Sequence, residues 1–73
     1  MNTELVNTLQ SCIDTCDRLL QMTEEDKGRI QACVSSDLMK AYLDGCEKTE
    51  KGLKKIREQV LNLQAEAQLD LQQ

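Results

Sequence analysis

"LLQMTEEDKG", residues 19 to 28, is the stretch that decides the course of the chain. Upstream of it, Leu5, Leu9, Cys12, Cys16 and Leu19 recur at spacings of four and three, and Val6, Ile13 and Leu20 flank them at intervals of seven. That is the apolar stripe of a bundle helix, with Asn7, Gln10, Asp14, Asp17 and Arg18 on the opposite face. The stripe stops near Met22. Thr23 then stands where an N-cap would, Asp26 holds the reciprocal position, and three acids crowd what would be the first turn of a new helix. The pattern predicts a helix boundary at residues 22 to 24.

Downstream, Ile30, Cys33, Val34, Leu38, Ala41 and Tyr42 form a second stripe. Gly28 and the Ser35-Ser36 pair weaken it, and Ser36 is placed to cap a fresh helix. "LDGCE", residues 43 to 47, reads two ways. Asp44-Gly45 looks like a helix C-terminus closed by glycine. Yet Met39, Tyr42, Cys46, Thr49, Leu53, Ile56, Val60, Leu63 and Ala67 keep three-four spacing straight through it, as one uninterrupted helix would.

Two all-α architectures follow. In the first, helices at about 3–22, 24–44 and 46–70 make a small antiparallel three-helix bundle. In the second, a helical hairpin, a short helix folds back on one long second helix from about 29 to 70. The three-helix bundle is favoured, because helices of comparable reach bury the first stripe on both sides. If the last helix is continuous, Gly45 and Gly52 lie one heptad apart and share a face where another backbone could come close.

A chain of 73 residues is one helical domain, 1–73, near the lower limit at which a single core holds a fold. Self-association, as a dimer, is therefore expected. Thirteen acidic against nine basic side chains give a net charge of −4, which disfavours a nucleic-acid partner. Histidine is absent, and with it the commonest general base and metal ligand. No glycine-rich phosphate loop, Ser-His-Asp set or nucleophile elbow occurs. No enzyme, cofactor or small-molecule substrate is expected. "MNTELVNTLQ" has neither a basic nor an unbroken apolar region, and no stretch nears the ~20 apolar residues of a membrane span. The chain reads as cytoplasmic, without a membrane partner, where thiols stay reduced.

Cys12 and Cys16 lie about one helical turn apart and could grip a single ion. Cys46 falls more than two turns from them in either architecture, which excludes a four-thiolate site. A cluster of Cys12, Cys16 and Cys33 survives as a soft-metal site, for Cu(I) for instance, or as a redox-sensing thiol set. The leading reading is that no metal binds, because all four cysteines occupy stripe positions where free Cys behaves as a small hydrophobe.

Lys48, Lys51, Lys54, Lys55 and Arg57 are read as a solvated face, with Glu47 to Lys51 and Glu50 to Lys54 as i, i+4 ion pairs, rather than as a site for an acidic partner. Met22, Met39 and Tyr42 are read as core. In "LNLQAEAQLDLQQ", residues 61 to 73, the apolar stripe continues past the expected end of the bundle. An overhang of about five or six residues, roughly 8 Å, follows. Leu53, Ile56, Val60, Leu63, Ala67 and Leu69 are the candidate partner-binding residues, and the function expected is a non-enzymatic helical interaction module: an adaptor, regulator or small chaperone that binds a protein partner or itself. In size, charge and helix content the chain resembles the short helical co-chaperones of bacterial type III secretion and small phage-encoded inhibitors; the likeness is one of general build and carries no shared motif.

Overall fold

Two α-helices carry the chain: α1, Asn2–Cys33, and α2, Ser36–Gln72. The computed structural model describes these residues, with side chains from 3 to 32 and from 37 to 70. Val34, part of the expected second stripe, and Ser35, expected to weaken it, lie outside the described residues, as do the side chains of Cys33 and Ser36 and the capping role read for Ser36.

The all-α class stands, and the three-helix bundle does not. No boundary falls at residues 22 to 24. Instead of capping a new helix, Thr23 Oγ1 donates to the carbonyl of Leu19 at 2.8 Å. Thr8 and Thr15 do the same to Glu4 and Ser11, each at 2.9 Å. A hydroxyl satisfied by the preceding turn leaves the helix free to run on. The acids that follow are used sideways: Lys27 Nζ lies 3.1 Å from Glu24, and Arg29 Nη1 lies 2.9 Å from Asp26. Gly45 also fails to stop its helix. None of the glycines has positive φ, and Thr49 Oγ1 donates to the Gly45 carbonyl at 3.0 Å. The fold is the hairpin alternative with its reversal moved to between Cys33 and Ser36, so the first helix is not short: the two contain 32 and 37 residues.

The helices meet along rows that alternate in threes and fours, the pattern of an antiparallel coiled coil. On α1, Val6, Ile13, Leu20 and Lys27 form one buried or half-buried row, and Leu9, Cys16, Thr23 and Ile30 the other. On α2 the rows are Met39, Cys46, Leu53, Val60 and Ala67, then Leu43, Glu50, Arg57 and Gln64. The result is a rod of 57 × 15 × 12 Å with a radius of gyration of 16.7 Å. A compact chain of this length has a radius of gyration of about 11 Å. Its core is thin: among the described apolar residues, Ile13, Cys16, Cys46 and Ala67 are buried, and no large side chain is fully enclosed.

Two substitutions probe this arrangement through urea unfolding at fixed protein concentration. Ile13 is 3 % exposed, and Ile13→Ala should lower stability by about 2 to 3 kcal/mol. Gly28 lies off the seam, and a Cβ there meets nothing within 4 Å. Gly28→Ala should raise stability by about 0.5 to 1 kcal/mol; a loss would contradict a helix running through residue 28.

Candidate interaction face

One row of α2 is polar where a hairpin seam is ordinarily apolar. Glu50, Arg57 and Gln64 follow one another at heptad intervals, and each finds a partner on α1. Glu50 Oε1 accepts from Lys27 Nζ at 2.7 Å, and the two side chains are 14 % and 19 % exposed. Arg57 Nε donates to Asp17 Oδ1 at 2.6 Å. Gln64 Nε2 donates to Gln10 Oε1 at 2.9 Å and to the Val6 carbonyl at 3.3 Å. Glu50 thus reaches across to α1 rather than to Lys54 on its own helix. Among the described residues no buried side-chain nitrogen or oxygen lacks a hydrogen-bond partner.

These links lie to one side of the seam and give that side of the rod a polar closure. Gln10, Asp17 and Glu24 of α1 face Lys40, Glu47, Lys54 and Gln68 of α2 there, with Leu61 as the apolar exception. The other side has no such closure. Leu5, Cys12 and Leu19 of α1 and Tyr42, Ile56 and Leu63 of α2 are exposed along it. Open grooves run over that side: Leu19, Leu53 and Ile56 border one at mid-rod, Leu5, Leu63 and Ala67 one at the open end, and Asp26, Tyr42 and Cys46 one near the reversal. Among the described residues lining these grooves the charged ones are Asp26, level with Thr49 and paired with Arg29, and Glu66 and Asp70 at the open end.

The residues expected to bind a partner divide among the open side, the seam and, for Leu69, the outer surface of α2 away from the grooves. Ile56, Leu63 and Leu69 are 50 %, 54 % and 59 % exposed. Leu53, Val60 and Ala67 are half-buried or buried against α1. The expected overhang of α2 is absent, because Ala67 and Asp70 border the same groove as Leu5 and Leu9 and so lie level with the start of α1. What remains uncovered is a lengthwise face made by both helices. Leu5, Leu19 and Tyr42 belong to it, and reading α2 alone could not add the α1 contribution.

The thiol cluster fails on geometry. Cys12, Cys16 and Cys33 all belong to one uninterrupted helix, which separates the last from Cys16 by about 25 Å along its axis. Cys16 and Cys46 are free and buried, and Cys12 is free and exposed. Among the described residues no group of three or more His, Cys, Asp or Glu side chains is placed to hold a metal ion. Tyr42 lies beside Cys46, and desolvation, followed by the hydrogen bond with that thiol, raises its phenol above the ordinary value. No described helix is long and apolar enough to cross a membrane. Comparison with family models, with curated proteins and with solved structures finds no match to the chain.

The Lys27–Glu50 link sets a pH dependence. The hydrogen bond from Lys27 holds the Glu50 carboxyl below its usual range. The bonds to Glu50 and then Glu24 hold the Lys27 ammonium above its own. The Glu50 contribution is present above about pH 4.3, its unfolded value, and is lost as pH falls through the lower folded value. The Lys27 contribution is present below about pH 10.4 and is lost as pH climbs. Thermal unfolding followed by circular dichroism should show a plateau between these limits. Glu50→Gln should lower the plateau and flatten the acid limb; an unchanged acid limb would show that the pair does not stabilise the hairpin.

Proposed function

We propose that this protein is a non-enzymatic helical interaction module, an adaptor, regulator or small chaperone, that works through the uncovered side of its hairpin. The single observation that carries the reading is the row of exposed apolar side chains on that side, set among hydroxyl side chains. It runs from Leu5 and Leu63 at the open end, through Leu19 and Ile56, to Tyr42 near the reversal. Rows of exposed large apolar side chains on one side of a small domain commonly mark protein interfaces. Paired helices offering an apolar groove bind helical segments through residues repeating every three or four positions. The net charge of −4 counts against a phosphate-rich partner. The grooves are open and shallow, unlike the enclosed, water-excluding clefts that favour catalysis.

A photo-crosslinking amino acid placed singly at Leu19, Ile56 and Leu63, and on the other side at Asp14, Lys51 and Glu58, tests this in the cell that makes the protein. Polypeptide adducts from the first three positions and none from the second three are the expected result. Equal labelling from both sides, or none from either, would remove the proposal.

A further inference from the structure

The occupant of the uncovered side can be argued from size and from the unlike ends of the rod. We infer that it is a second copy of this chain, turned end for end, so that two hairpins close into an antiparallel four-helix bundle with a two-fold axis at mid-rod. This rests on the interaction reading above and names its partner.

Size comes first. The chain exposes 5542 Å², whereas a compact monomer of its mass exposes about 4,600 Å². The excess is close to what each partner buries in a stable interface, about 800 Å². The broad side of the rod, 57 Å long and 15 Å wide, matches it at about 850 Å² in projection. A lone helical peptide laid along the groove between α1 and α2 would cover that groove and leave the outer flanks in water. A second hairpin has the same length and width as the surface to be covered.

The ends give the orientation. Residue 54 is the middle of α2. Reversing the second copy about residue 54 places Tyr42 of each chain level with the stretch between Leu63 and Ala67 of the other, so that the exposed ring at one end meets the exposed leucine at the other. Docking with both reversals at the same end would instead set α2 of each copy against α1 of the other. End-for-end docking also keeps Glu66 and Asp70 of the two copies at opposite ends of the bundle, which same-end docking would gather together.

The middle gives the test residue. Ile56 lies two residues from the axis, so in the reversed pair it comes within about 6 Å, along the rod, of Ile56 in the second copy. Gly45 and Gly52 border the same side of α2, and nothing lies within 4 Å of a Cβ built on either. Close approach of α2 to its copy would use the space that both leave.

Sedimentation equilibrium of the reduced chain at about 100 µM should give twice the 8.3 kDa chain mass. Ile56→Glu and Ile56→Lys each set like charges against one another at the axis, and each alone should weaken association by about a hundredfold or more. Mixed in equal amounts, the two variants should recover association at least about tenfold over either alone. Should a variant lose helicity by itself, mixing should restore the circular dichroism signal as well. A wild-type chain that stays monomeric overturns the proposal, and so does a mixture that fails to recover, because in same-end docking Ile56 faces α1 of the copy. If the wild type is monomeric while Ile56 crosslinks to another polypeptide in the cell, the interaction reading survives and the self-pairing does not; equal labelling from both sides removes the reading itself.

Discussion

The polar row on α2 governs how this molecule presents itself. Glu50, Arg57 and Gln64 occupy seam positions, and satisfying them requires Lys27, Asp17 and Gln10 of α1 at matching heights. Partly buried polar groups are stabilising only when paired, and leaving one unpaired costs about 1 to 3 kcal/mol. A slip of one heptad in one direction would set Glu50 opposite Leu20 and Arg57 opposite Gln10, so the polar row helps to specify register in the way that single polar positions do in coiled coils.

The same row decides which way the apolar stripe points. On α2 the apolar residues recur at Met39, Cys46, Leu53, Val60 and Ala67 and at Tyr42, Ile56 and Leu63. A helix led only by hydrophobicity would aim the middle of that stripe at its partner. Here the polar row is drawn inward by its α1 partners, so α2 rotates about its axis: the first set packs on α1 and the second is carried round to the open side. On α1 the stripe is wide enough to serve both directions, with Ile13 and Cys16 buried and Leu5, Cys12 and Leu19 outside. The uncovered face is therefore a consequence of how the seam satisfies its hydrogen bonds.

Stability and function share this origin. A rod with a thin core buries little apolar surface for the conformational entropy of the residues it orders. The hydrogen bonds and ion pairs across the seam give specificity and make modest contributions to net stability. Further stabilisation is available from covering Leu19, Ile56 and Leu63 and the side they occupy. Free cysteines fit the same economy: Cys16 and Cys46 fill narrow parts of the seam as small apolar groups.

The heptad spacing, the absence of proline and the exclusion of histidine-dependent chemistry could all be read from the residues one after another, and they determined an all-helical chain with an apolar stripe on each segment. Local signals were ambiguous where they compete with tertiary contacts. Thr23 followed by acids has the chemistry of a helix start, but its hydroxyl is equally satisfied by the Leu19 carbonyl, and the half-buried row continues through Leu20, Thr23 and Lys27. Gly45 weakens a helix without ending it when its neighbours Leu43 and Cys46 are held against α1. Pairing across the reversal was not legible at all, because Lys27 and Glu50, or Asp17 and Arg57, are distant in the chain and carry no mutual spacing rule. Only the tertiary structure could decide that a polar row turns inward and an apolar one outward, since that choice depends on partners contributed by the other helix.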